Sequence, residues 1–250
     1  MPMGGGVKLS KGKYWGRLLA FTLAEVLITL GIIGIVAALT IPTLMQKSQE
    51  RETVSKLKKV YSTLSNAYNL AVNDEGNPDE WDLDTNNNRI LTYLMPHLNV
   101  LKDCTKNSIS DCNINLKYKY LNGVNATSYN SYPGIFLSDG TLILSQKLSE
   151  PNCSGKRGES LPLSNICGEY YIDINGIQKP NILGKDMFYF YLSEYGIIPF
   201  GTKGDSDSFS KNCSISSSWS WGCTAWVLQN ENMDYLHCTD LSWGGKTKCD

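Results

Sequence analysis

The chain has 250 residues, 42% of them hydrophobic and 19% charged, with a formal net charge of −1; this balance excludes a disordered chain and allows one substantial core. The charge is unevenly spread. Residues 1–59 carry nine Lys/Arg against three Glu, while residues 60–250 carry fourteen against twenty-one Asp/Glu, a formal −7 for the later part. An acidic surface repels phosphate, so nucleic acid is disfavoured as a partner.

Residues 1–20 hold Lys8, Lys11, Lys13 and Arg17 with no acidic residue, in the manner of a basic export leader. From Val26 to Met45 the chain is free of charge for twenty residues, enough to span a bilayer core at about 1.5 Å per residue. The preceding basic residues predict a cytoplasmic leader and an exported remainder. Glu25 breaks the pattern, lying among Phe21, Leu23, Val26 and Leu27. A carboxylate there costs roughly 2.5–3.5 kcal/mol at a bilayer centre unless paired. Glu25 is therefore either a headgroup-level residue or one that awaits a positive partner on assembly.

The stretch Phe21-Thr22-Leu23-Ala24-Glu25-Val26-Leu27-Ile28-Thr29-Leu30-Gly31, continuing to Ile41-Pro42, resembles the N-terminus of type IV pilins and type II secretion pseudopilins. The resemblance implies that a prepilin peptidase cuts between Ala20 and Phe21 and methylates the new Phe21 amine. It makes Glu25 the assembly carboxylate and Pro42 the proline that kinks the helix. The family usually has Gly before the cut, where this chain has Ala20. Other pilin subunits, the peptidase, an inner-membrane assembly platform and, before assembly, membrane lipid are the partners so implied. The place implied is a single-pass anchor in the cell membrane, then a pilus or pseudopilus.

Residues 46–75 are polar, but Val54, Leu57, Tyr61, Leu64, Tyr68 and Ala71 recur at helical spacing. This stripe suits a coiled-coil seam or, with a globular part following, packing on a sheet. Asn73 to Pro78 then ends the helix with turn chemistry. Residues 76–250 form the expected exported head. Asp139-Gly140 between Gly134–Leu137 and Thr141–Leu144 signals a hairpin. Tyr170–Ile174, Met187–Leu192 and Gly196–Phe200 predict further antiparallel strands, with one apolar face for the helix to cover. The fold class expected is α+β and pilin-like, a long N-terminal helix on an antiparallel sheet with disulfide-rich C-terminal loops.

The eight cysteines, Cys104, Cys112, Cys153, Cys167, Cys213, Cys223, Cys238 and Cys249, all lie in the exported part and form no C-x-x-C. That usage favours disulfides over metal. Connectivity is open, and joining sequential neighbours closes the shortest loops. Asp173, Asn175 and Asp186, around Gly176 and Pro180-Asn181, are a candidate calcium set with a metal-free Asx turn as the alternative. Trp219, Trp221, Trp226, Trp243 and Tyr235 read as core filler before a binding face. His97 and His237 stand outside any catalytic motif. No catalytic set is visible, so a structural filament subunit is expected over an adhesive or DNA-uptake tip protein, and both over an anchored exported enzyme.

Overall fold

A computed structural model describes residues 22–83, 90–106, 108–148, 152–217 and 219–249. The chain divides into two units, Met1–Gln46 and Lys47–Asp250. A single helix, α1, runs Leu23–Glu75 and contains Pro42. Proline has no N–H to give the carbonyl four residues back, which weakens the ladder locally. In the first unit, the large apolar side chains from Leu23 to Met45 are exposed, Leu39 and Ile35 among the most so. By length and composition this stretch can cross a membrane.

Within the second unit α1 is amphipathic. Val54, Leu57, Val60, Leu64, Ala67, Tyr68 and Ala71 are buried, while half-buried Tyr61 stacks on Phe190 at 5.8 Å between ring centroids. Burial at three- and four-residue steps is the mark of a helix facing a core. The helix stops where Gly76 takes a φ of +81° and donates its N–H to the Val72 carbonyl at 3.0 Å, a left-handed C-terminal cap that glycine adopts without steric cost.

The sheet has six antiparallel strands in chain order: β1 (Val100–Cys104), β2 (Gly134–Leu137), β3 (Leu142–Lys147), β4 (Ile166–Asp173), β5 (Met187–Ser193) and β6 (Gly196–Pro199). β2 and β3 form the expected hairpin, with Gly140 at φ +90° in its turn. β4 and β5 pair over most of their length, from Ile166 opposite Ser193 to Asp173 opposite Met187. One face, carrying Ile135, Ile143, Tyr170, Ile172, Phe188, Phe190 and Leu192, packs with the buried side of α1.

The other face is not solvated, which corrects the expectation of a single apolar face. Leu142, Leu144, Tyr171, Met187, Tyr189 and Tyr191 point into a second core closed by Ile109, Leu116, Tyr118 and Tyr129. The reason lies in the strands themselves, since every position of Met187–Ser193 is buried and a strand apolar on both faces needs a cover on each. The cover is the long connection from β1 to β2, organised by a capping box at Ser108 and Asp111 and by edge-to-face contacts of Tyr129 with Tyr118 and Tyr171.

Four disulfides join Cys104–Cys112, Cys153–Cys167, Cys213–Cys223 and Cys238–Cys249, the sequential pairs. The tryptophans divide. Trp226 is fully buried and stacks on Phe209 at 3.9 Å, whereas Trp219 is 48% exposed against Trp221 and Tyr120. If the contact between α1 and the sheet holds the second unit together, Leu64→Ala, at a fully buried position, costs about 2–5 kcal/mol. Leu70→Ala, on the exposed side of the same helix, stays within about 0.5 kcal/mol. Urea titration followed by tryptophan fluorescence measures both, and equal effects would contradict this packing.

Candidate functional site

The residues expected to be processed, Ala20 and Phe21, lie outside the described residues. Glu25 lies within them, at the start of α1. Its carboxylate accepts the Thr22 N–H at 2.8 Å and the Thr22 hydroxyl at 3.0 Å. Its own N–H donates to Thr22 Oγ1 at 3.2 Å. This reciprocal pair is a capping box, which satisfies N–H groups that a helix start leaves without partners. Glu25 is thus hydrogen-bonded within its own helix, and no cation faces it there among the described residues. Pro42 lies seventeen positions further along the same helix.

The second candidate is the loop from Asp173 to Met187, linking β4 to β5. Asp173 is fully buried and Asp186 is 3% exposed. All four carboxylate oxygens have donors. Asp173 Oδ1 accepts the Asn175 N–H at 3.1 Å and Oδ2 accepts the Tyr118 hydroxyl at 2.6 Å. Asp186 Oδ2 and Oδ1 accept the N–H groups of Asn181 and Ile182, each at 2.6 Å. The loop is tied further by Ile174 N–H to the Asp186 carbonyl at 3.0 Å and by Lys119, which bonds Asn181 and Leu183 at 3.1 and 2.9 Å. Gly176, at φ +69°, lets the chain approach the β2–β3 turn, since a Cβ there would lie 2.5 Å from the Gly140 carbonyl oxygen.

These contacts place all three candidate calcium ligands in one hydrogen-bonded Asx network, Asn175 through its N–H to Asp173 and Asp186 through its carbonyl to Ile174. Asn175 Oδ1 and Asn181 Oδ1 are left as buried acceptors without a donor among the described residues, and an oxygen-only set of this kind has the hardness that calcium requires. No group of three or more His, Cys, Asp or Glu that could hold a metal occurs among the described residues. Tyr118 is the member that sequence reasoning missed. It reaches Asp173 from 55 positions upstream, and no local pattern marks it. His97 faces Asp74 at 3.5 Å, and His237 faces Glu50 at 2.9 Å; neither joins either candidate site.

The two carboxyls are coupled. Asp173 is pushed up to about 8, by burial first and the Asp186 charge second. Asp186 is pushed up to about 6, also chiefly by burial. Burial disfavours the charged form of both, and the charge of Asp186 adds to the shift at Asp173.

An α+β head on a long apolar N-terminal helix, stapled by four disulfides, is the class of protein that these features define. Residues 43–242, 200 of the 250, match a family of unknown function (DUF6613), and the chain belongs to that family. The matched region begins at Thr43, so it includes the Asp173–Asp186 loop while Glu25 precedes it. No curated protein and no solved structure matches the chain.

Because the folded pKa values of this pair are raised, the stability they contribute is fully present below the unfolded carboxyl range, near pH 4, and is lost as pH rises through about 6 to 8. Asp173→Asn keeps an acceptor for Asn175 and removes the titration of position 173, leaving that of Asp186. Denaturation midpoints measured from pH 4 to pH 8 will therefore fall more steeply in the parent than in the variant. Parallel curves would mean that Asp173 holds no proton in the folded state over this range.

Proposed function

We propose that this chain is a structural subunit of a filament of the type IV pilus or type II secretion class, a pseudopilin or minor pilin anchored and assembled through α1. The observation that carries the proposal is the order of residues at the head of that helix. A lone carboxylate at Glu25 is followed by twenty uncharged residues containing Pro42, and their large apolar side chains are exposed. Exposed apolar surface of this extent needs a lipid or protein cover. Apolar helix packing would supply the drive for assembly, and Glu25 the register.

The capping box refines the role of Glu25. Thr22 follows the expected cleavage point, so the box survives processing. A carboxylate accepts about four hydrogen bonds, and Glu25 uses part of that capacity on Thr22. The rest is available to the Phe21 amine of a neighbouring subunit, where a buried pair is stable only in the correct register. An anchored enzyme explains neither the carboxylate nor the position of the proline.

Intact-mass and N-terminal peptide analysis of protein from native membranes is expected to find a chain beginning at N-methylated Phe21. A chain beginning at Met1 would replace this reading with an uncleaved anchor carrying an exported domain. A second outcome concerns Glu25 directly. Glu25→Gln preserves the capping box, for which Glu and Gln serve alike, but removes the charge. It should insert normally yet fail to enter filaments, as should Glu25→Ala. Normal incorporation of the Gln variant would confine Glu25 to helix capping.

A further inference from the structure

Two cavities flank α1 just past its uncharged stretch. The larger, about 520 Å³, lies between the helix and the β4–β5 loop, with Gln49, Thr53, Lys56, Lys179 and Lys185 in its lining. The smaller, about 260 Å³, lies between the helix and the C-terminal segment, with Lys47, Arg51, Met233 and His237 in its lining. Gln49 and Lys56 follow Met45 by four and eleven positions, about 6 and 16 Å of helix at about 1.5 Å per residue. The polar layer of a bilayer reaches about 5–8 Å beyond its hydrocarbon core, and its charge is felt over a further Debye length of roughly 8 Å. With residues 26–45 in a bilayer, both cavities therefore begin at the level of its headgroups.

The acids of these cavities are engaged, and several of the cations are not. Glu52 pairs with Lys56 at 2.9 Å, and Asp186 accepts the N–H groups of Asn181 and Ile182. On the other flank Glu50 meets His237 at 2.9 Å, Glu231 meets Lys58 at 2.7 Å, and Asp234 accepts the Cys249 N–H at 2.7 Å. Lys47, Arg51, Lys179 and Lys185 make no ion pair among the described residues, although the charge of Lys185 reaches the Asp186 carboxyl. Ile177 lies two positions from Lys179 in the same loop, and it is 58% exposed. An apolar side chain exposed among cations suits the boundary of a bilayer, where the one enters the acyl edge and the others meet phosphate. On the exported side these cations also run against the bias that gathers Lys and Arg in the cytoplasm.

We propose that this side of the head, the loop carrying Ile177, Lys179 and Lys185 together with Lys47, Arg51 and Lys56 of α1, is a docking surface for an anionic phospholipid membrane. Lipid phosphate meets the cations, and Ile177 enters the headgroup boundary. Tethering argues for lipid over a soluble anion. An apolar stretch held in the bilayer keeps the headgroups at high effective concentration beside the cations, and a soluble anion offers nothing to Ile177. The inference rests on the anchored state of the filament reading and not on assembly itself. A subunit leaving the bilayer for a filament has to give this contact up.

The test places the full chain in vesicles of phosphatidylcholine alone, or of phosphatidylcholine with a third phosphatidylglycerol, and follows amide hydrogen exchange by mass spectrometry. Peptides covering residues 177–179 are expected to exchange about tenfold more slowly in the anionic vesicles at low salt, and the difference should fade as salt is raised. Lys179→Gln with Lys185→Gln should remove the difference, while unchanged exchange in β4 and β5 shows that the variant is folded. Should the variant not fold, the salt series on the parent chain decides. Equal exchange in the two vesicles, slowing confined to another part of the head, or slowing indifferent to salt and to the lysine changes would overturn the surface. Inorganic phosphate that slows the same peptides in neutral vesicles would assign the cavity to a soluble anion and overturn it likewise. No lipid effect in a protein whose native form begins at N-methylated Phe21 removes the surface and leaves the filament. A lipid effect in one that begins at Met1 keeps the surface and removes the filament.

Discussion

The contact between one side of α1 and the face formed by Phe188, Phe190 and Leu192 is the constraint on which the rest of the head depends. A lone antiparallel sheet with apolar side chains on both faces has no stable state in water, and a helix of α1's polarity past Met45 has little reason to stay helical without a partner. Each is the cover the other requires. Ala67 and Ala71, both buried, are small enough to let the helix lie close, and Leu57 and Leu64, fully buried, fill the space that a close helix leaves. The tyrosine-rich second core is a consequence of the same choice. Once β5 is buried at every position, the side away from α1 must be closed as well, and the chain between β1 and β2 does so.

The polar interior follows suit. A core this rich in tyrosine buries hydroxyls, and each buried hydroxyl needs a partner. Tyr118 donates its hydroxyl to Asp173, Tyr171 meets Gln146 and Glu169 at 2.6 and 2.8 Å, Tyr191 meets Asp205 at 3.2 Å, and Tyr129 and Tyr189 bond each other. Acids are therefore held inside by phenols as much as by backbone. The Asp173–Asp186 loop is one instance of this, with the added feature that two acids share one neighbourhood.

Much of this architecture could be read from residue patterns, because the patterns were local. The stripe from Val54 to Ala71 lies on one side of a helix, and the structure adds only Val60 and Ala67 to it, small or mid-sized residues that widen the buried face. The β2–β3 hairpin was marked by Asp139-Gly140, and β4 to β6 by aromatic and β-branched runs. What escaped was non-local or weakly patterned. β1 is exposed over Leu101, Lys102 and Asp103 and carries no alternation to betray it. Tyr118 and Tyr129 sit in a stretch without periodicity, and their burial is decided by a sheet laid down later in the chain. The capping box at Thr22 and Glu25 is different, since a Thr followed three positions later by a Glu is itself the local mark of a helix start.

The sequential disulfides carry a last implication, about time. Each bridge spans 8 to 14 residues, and each cysteine is bonded to the next or previous one in the chain, while the six strands also pair strictly with their chain neighbours. A polypeptide threaded tail-last through a translocation pore presents its thiols one after another. The right mate for the first, third, fifth and seventh cysteine is in each case the next to emerge, so oxidation in order of arrival yields the native set. Mispairing would require a thiol to stay reduced while a later pair passes it, and the head accordingly makes small demands on any disulfide-shuffling catalyst in the compartment where it folds.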